Sequence, residues 1–253
     1  MGPLPQMSPR QPFKYATAPS PRQIDSAVEV AVPCDSGLTV GMRVTKHEHA
    51  ALLVESQGKS LVIDPGAYTS PFTDLHDTVG IVITHEHADH WTPEHLNRIL
   101  REAGPLPIFA PAGVAAAASA FDVTVVAPGR RVELDPFTLE FFGGRHAVIH
   151  ESIPVIDNLG VLIDDEFYYP GDSYAVPEGR DIALLAAPVG APWLKIGDAI
   201  DFVLAVAPRR AFATHDMTLS AIGRGLGRER LSWATAQGGG EFLELDPGDS
   251  ADV

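Results

Sequence analysis

Residues 84–90 read Thr-His-Glu-His-Ala-Asp-His. The run follows the apolar stretch Gly80-Ile81-Val82-Ile83 and precedes Trp91-Thr92-Pro93-Glu94, a polar segment with the look of a helix start. Three imidazoles and the Asp89 carboxylate therefore sit on one short loop between a strand and a helix. At the chain's own His and Asp frequencies such a run arises by chance in about one of a thousand chains of this length, so it calls for a chemical explanation. Clustered His with a carboxylate is a donor set suited to zinc and similar divalent ions.

Working outward, other His and Asp residues fall just after strand-like segments. Asp64 ends Leu61-Val62-Ile63 and opens Asp-Pro-Gly; His146 follows Phe137–Phe142; Asp172 follows Phe167-Tyr168-Tyr169-Pro170-Gly171; His215 follows Arg210–Thr214. Loops at strand ends are where scaffolds place chemistry, and five such loops can meet at one rim. His146 and His150 compete in Arg-His-Ala-Val-Ile-His. His146, directly at the strand end, is preferred as a ligand, and His150 is assigned to the pocket. His49 either reaches the site or is a buried structural histidine. Trp91, Trp193 and Phe202 are candidates for a pocket wall, with core packing as the alternative.

The remaining pattern is strand-rich early and helix-rich late. Strands are expected at 50–55, 60–64, 80–84, 107–110, 123–126, 131–134, 137–142, 159–163, 167–169, 182–186, 210–214 and 241–245. Helices are expected at 93–102, with Thr92 as N-cap and Gly104 beyond its end, and at 112–121, 196–207 and 219–228. No repeat of 20–50 residues is present. Two sheets packed face to face with helices outside, an α/β four-layer αββα sandwich, suit this order. Residues 1–41 read as a loosely ordered leader, Pro- and Ser-rich in its first 25 residues. The folded domain spans 42–246, and 247–253 reads as a frayed tail.

Composition narrows the function. The 253 residues carry a net charge of -15 and no basic block, which argues against a nucleic-acid-tracking surface. Cys34 is the single cysteine, so neither an intramolecular disulfide nor a thiolate metal cluster can form. No apolar run reaches membrane-spanning length, and the first residues lack a secretory apolar core. A cytoplasmic protein acting on a small molecule, away from membrane and nucleic acid, is the expectation.

These motifs together resemble the metallo-β-lactamase-fold hydrolases over residues 42–230. The His-x-His-x-Asp-His signature is intact as His85, His87, Asp89 and His90, the Asp-Pro-Gly matches at Asp64, the late Gly-Asp at Asp172, and the Thr-His at His215. The resemblance implies two divalent ions, zinc foremost, with manganese or iron also suited to all-N/O donors. One would be held by His85, His87 and His146, the other by Asp89, His90 and His215, with Asp172 bridging. Asp64 would orient ligands without touching metal. It further implies attack on an ester, lactone or phosphodiester by a metal-bridging hydroxide, with Asp89 or Asp172 orienting the nucleophile or moving its proton. Two features separate the chain from other branches: Asp172 stands where true β-lactamases carry Cys, and His87 where di-iron flavoproteins carry Glu. The small uncapped, lactonase-like branch remains, whose members often form homodimers. A nucleic-acid phosphodiesterase and a non-catalytic, metal-bound ligand-sensing scaffold are the competing readings.

Overall fold

Alternation along the strands sorts their side chains into three cores. In the computed structural model, which describes residues 41–73 and 75–253, the chain first forms β1 (Arg43–Lys46), β2 (Leu52–Ser56), β3 (Lys59–Ile63), β4 (Thr78–Val82), α1 (Pro93–Ala103), β5 (Ile108–Ala110), α2 (Ala112–Ala117) and β6 (Val123–Val125). It continues as β7 (Arg131–Leu134), β8 (Phe137–Gly143), β9 (Leu159–Ile163), β10 (Phe167–Tyr169), β11 (Leu184–Pro188), α3 (Ile196–Val206), β12 (Arg210–Thr214), α4 (Ala221–Gln237), β13 (Glu241–Leu243) and β14 (Ser250–Asp252).

Two seven-stranded sheets result, ordered β14-β1-β2-β3-β4-β5-β6 and β13-β12-β11-β10-β9-β8-β7. Leu52, Val54, Leu61 and Ile63 of the first meet Leu139, Phe141, Val161 and Phe167 of the second in the central core. The intervening residues face outward: Val62 and Ile81 pack with Leu96, Ile99 and Val114 of α1 and α2. Leu162, Tyr168 and Leu185 pack with Phe202, Val203 and Leu231 of α3 and α4. This period of two on each strand, with a helix layer behind each sheet, is the expected αββα sandwich. No helix among the described residues is long and apolar enough to cross a membrane.

Strand direction positions the site. β3 and β4 are parallel neighbours, as are β10 and β11, and β11 and β12. β8 is antiparallel to β9, and β9 to β10, so β8 runs with β10. The loops after β3, β4, β8, β10 and β12 leave their sheets at carboxyl ends, and these are the loops that carry Asp64, the His-rich run, His146, Asp172 and His215.

Several elements differ from expectation. The tail is not frayed: β14 pairs antiparallel with β1 through Arg43↔Asp252, Val44↔Ala251 and Thr45↔Ser250, and Val253 N donates to Met42 O at 2.7 Å. A turn over Asp246-Pro247-Gly248-Asp249 returns the chain, with Gly248 at φ 98° and Asp246 N bonded to the Asp249 carboxylate at 2.9 Å. Only Ala251 of this strand is buried, too little apolar signal to read beforehand. α4 runs to Gln237, past the expected end at 228, capped by Ser220 Oγ on Gly223 N at 3.1 Å. Gly223, Gly225 and Gly227 resemble breakers, yet packing overrides propensity, and a Cβ at Gly227 would collide with the Val189 side chain. α2 stops at Ala117, four residues short, and β4 and β11 shift by two residues from their expected spans, which local pattern resolves least well. Apart from Gly41, the leader and Cys34 lie outside the described residues.

Candidate metal centre

Asp64 occupies a left-handed backbone position, φ 48°, at the end of β3. Its Oδ1 accepts the Thr84 amide at 2.8 Å, and its Oδ2 accepts Thr84 Oγ1 at 2.7 Å, Tyr169 Oη at 3.1 Å and His90 Nδ1 at 2.6 Å. The loop after β4 is thereby tied to β3. The two loops touch so closely that a Cβ on Gly66 would overlap the Asp89 carbonyl, which leaves only glycine there.

His85, His90, His146 and His215 each have the far nitrogen held, and the holder decides the tautomer. His146 Nδ1 donates to Ala147 O at 2.6 Å and His215 Nδ1 to Gly190 O at 2.6 Å; a carbonyl only accepts, so both protons sit on Nδ1. His90 Nδ1 gives its proton to Asp64. Thr84 spends its hydroxyl proton on Asp64, so His85 Nδ1, 3.1 Å away, donates to Thr84 Oγ1. All four Nε2 atoms are then turned inward. His85 Nε2 faces His87 Nδ1 at 3.0 Å. The Nε2 atoms of His90, His146 and His215 and Asp172 Oδ1 are buried and find no hydrogen-bond partner among the described residues. Such orphaned atoms are costly unless something else meets them.

Asp172 lies among them: Oδ1 is 3.2 Å from His90 Nε2, and Oδ2 is 3.2 Å from His215 Nε2 and 3.4 Å from His146 Nε2. Donor atoms of His85, His87, His146 and Asp172 lie within 4.8 Å of one another, and so do those of His90, Asp172 and His215. Asp89 groups with His85 and His90, and again with His49 and His215. The fit of this set to divalent ions is good: imidazoles with Nε2 turned inward, two carboxylates, and unsatisfied buried atoms between them.

Charge is shared unevenly. Burial, followed by the neighbouring imidazoles, holds His85 well below the ordinary histidine value. Burial also opposes an imidazolium at His90 and His215, but the Asp172 carboxylate outweighs it, taking His90 well up and His215 up to about 9. Burial disfavours the Asp172 anion, yet His90 and His215 pull its pKa well below the usual range. Metal-free protein therefore holds imidazolium protons that an unfolded histidine, with pKa about 6.5, has lost by pH 8. The folded state binds more protons in that window, so stability falls as pH rises. Urea unfolding of the metal-free protein is expected to show a midpoint that drops between about pH 7 and 9, and His215→Gln flattens the slope. An unchanged slope in that variant removes this assignment.

The structure gathers Asp64, His85, His87, Asp89, His90, His146, Asp172 and His215 at one place. It does not bring in His150, whose Nδ1 engages Ser152 Oγ at 2.8 Å on an exposed turn. His146 is fixed instead because His146 N bonds Ile156 O and Ala147 N bonds Asp172 O. His49 does reach the site: fully buried at φ 61°, its Nδ1 accepts Met217 N at 3.3 Å, which leaves Nε2–H to donate to Asp89 Oδ2 at 3.1 Å. Trp91 and Phe202 belong to the cores, while Trp193 abuts the site. Sequence reasoning missed a buried ion pair behind His215, Lys46 Nζ–Asp216 Oδ2 at 2.7 Å. A lysine at an inward-facing position of β1 was its one signal.

Residues 43–215 match the β-lactamase superfamily domain, and the chain belongs to that superfamily. Its fold is that of the superfamily's metal-dependent hydrolases. Protein Rv0786c of Mycobacterium tuberculosis is 35% identical over 199 residues, covering 77% of this chain and 93% of its own. UPF0173 protein PYRAB01190 of Pyrococcus abyssi is 28% identical over 185 residues, covering 69% and 83%. Among solved structures, Igni18, a metallo hydrolase from Ignicoccus hospitalis, superposes with TM-score 0.64 at 19% identity, covering 84% of this chain and 98% of that one. The metallo-β-lactamase fold protein YhfI of Bacillus subtilis superposes with TM-score 0.64 at 15% identity, covering 84% and 100%.

Proposed function

We propose that this chain is a dinuclear metal-dependent hydrolase of a small ester, lactone or phosphodiester. The observation that carries the reading is the set of buried, partnerless Nε2 and Oδ1 atoms facing one another, each imidazole locked from behind. His85, His87 and His146 would hold one ion, Asp89, His90 and His215 the other, with Asp172 shared. Bound divalent ions, zinc foremost, supply Lewis acidity that brings the pKa of a coordinated water to about 7 and offsets developing negative charge. Asp89 is the more accessible carboxylate, its side chain 24% exposed against 3% for Asp172. We therefore assign proton transfer during attack to Asp89, with His49 fixing its orientation. Asp172 holds the two ligand groups at a constant separation. The net charge of -15 supports a small substrate over nucleic acid, and the single cysteine supports work in the cytoplasm.

Elemental analysis by plasma mass spectrometry, on protein purified without added metal, tests the reading. About two equivalents of zinc, manganese or iron per chain are expected, with hydrolysis of model esters or lactones that a chelator abolishes and the same metal restores. Turnover should respond weakly to salt between 50 and 200 mM, where a phosphate-tracking surface loses orders of magnitude in affinity. A chain that stays metal-free after reconstitution sinks the proposal.

A further inference from the structure

Among the described residues, one donor stands behind the Asp172 carboxylate. Trp193 Nε1–H points at Asp172 Oδ2 from 2.8 Å. An indole nitrogen only donates, so the direction of this bond is unambiguous. The Trp193 ring is buried and stands edge-on to His146 at 5.8 Å, to His215 at 6.3 Å and to Tyr174 at 5.3 Å. Tyr174 in turn packs on Phe202 of α3 at 5.9 Å. One rigid side chain thus touches a histidine from each of the two ligand groups and the carboxylate between them, and is braced against a helix.

Apart from the histidines it would share a metal with, the other anchors of Asp172 act on its backbone. Its amide is held by Asn158 Oδ1 at 2.9 Å, and its carbonyl accepts Ala147 N at 2.8 Å. Neither restrains the carboxylate's own rotation. Because a terminal carboxylate torsion is broad and two-fold, an Asp held only by its backbone samples several plane orientations. The indole proton removes that freedom, since its position is set by two χ angles that packing has already locked.

We propose that Trp193 is a positioning residue for metal binding, its indole N–H fixing the plane of Asp172 so that one carboxylate serves both ligand groups. The proposal rests on the metal-centre reading above. It separates Trp193 from the aromatics that merely fill space: the N–H, not the ring volume, is the functional part. Groups that orient ligands from behind in this way are typically worth about 10–100-fold in metal affinity.

Zinc affinity measured by competition with a chromophoric chelator distinguishes the two roles, using wild type, Trp193→Phe and Trp193→Leu. Trp193→Phe keeps an aromatic ring and loses the donor. It is expected to bind zinc about 10–100-fold more weakly than wild type, and to give an altered cobalt absorption spectrum, while the metal-free variant unfolds near the wild-type temperature. Wild-type affinity in Trp193→Phe overturns the proposal, whatever Trp193→Leu does, because packing alone then suffices. A measurement on unmodified protein guards against a variant that fails to fold. The ¹⁵N-indole signal of Trp193 should be protected from solvent exchange and should shift on zinc addition, in contrast to exposed Trp233. An indole proton that exchanges as fast as that of Trp233 and ignores zinc also overturns it. Wild-type protein that binds no zinc, manganese or iron at all is a different failure, since it removes the metal centre itself.

Discussion

Asp172→Ala is expected to bind less than one equivalent of metal against the two expected of wild type, and to lose at least about a thousandfold in kcat/KM, or roughly 4 kcal/mol of transition-state stabilisation. Among the described residues Asp172 is the carboxylate set closest to both ligand groups, whereas Asp89, of the ligand histidines, lies nearest His215. Asp172 Oδ2 is within 3.4 Å of His146 Nε2 and His215 Nε2, and Oδ1 within 3.2 Å of His90 Nε2. Without it the Nε2 atoms of three buried histidines lose the carboxylate they share, and Asp89 Oδ2 remains 3.4 Å from His215 and 4.0 Å from His90. Their mutual repulsion when protonated, and their lost ligand when metal arrives, both act against loading. The fold should survive: the residue leaves a small polar gap at a strand end, and the three cores do not include it. Far-ultraviolet circular dichroism near that of wild type, beside plasma mass spectrometry and ester turnover, reads these together. An Asp172→Ala protein that still carries two ions and full turnover would exclude a shared carboxylate and favour a non-catalytic metal-bound scaffold.

Which parts were legible beforehand follows from the range of the interactions involved. Residues 84–90 put three imidazoles and an aspartate on one loop, and the strand ends at Asp64, Asp172 and His215 each sit beside a short local cue. Such cues span a few residues and survive without knowledge of the fold. The choice between His146 and His150 had no local answer. It is decided by the Ala147 N–Asp172 O bond, a contact between residues 25 apart. β14 was invisible for a similar reason, since its register against β1 comes from a partner more than 200 residues earlier, with one buried alanine as its only apolar mark. α4 was cut short because three glycines lower helix propensity locally, while the close approach of Val189 that requires Gly227 is tertiary. The Trp193 donor was likewise hidden: an aromatic in a loop has no pattern that says which way its N–H points.

The same limit applies to Lys46 and Asp216, and here a large stability effect follows. Both side chains are completely buried, and the ammonium lies 2.7 Å from Asp216 Oδ2. Burial pushes the Lys46 pKa down, and the Asp216 carboxylate works against that shift to keep the lysine charged. Arg228 Nη2 completes the cluster at 3.4 Å from Asp216 Oδ2 and 2.9 Å from Leu245 O. Around it the chain makes Lys46 N–Asp249 O at 3.0 Å and Gly248 N–Lys46 O at 2.8 Å. The pair therefore ties β1, α4 and the approach to β14 to the residue next to His215. Removing one partner strands a charge in the interior, a loss of about 3–5 kcal/mol, whereas replacing both by apolar groups of similar size is often neutral or stabilising. Lys46→Met is expected to lower urea-unfolding stability by that amount, and Asp216→Leu to do the same, with two cations left facing each other. The double variant Lys46→Met/Asp216→Leu should recover most of the loss, so the two changes are strongly non-additive. Zinc content of the double variant then separates two reasons for keeping an ion pair that an apolar core could replace. A stable double variant with one equivalent in place of two means that the pair sets the path of the chain into His215, held at φ 57° with its amide on His49 O at 2.7 Å. Full metal content means that the pair selects the fold's C-terminal closure alone. Additive losses in the two single variants would show instead that Arg228 already compensates Asp216, and that the Lys46 contact contributes independently.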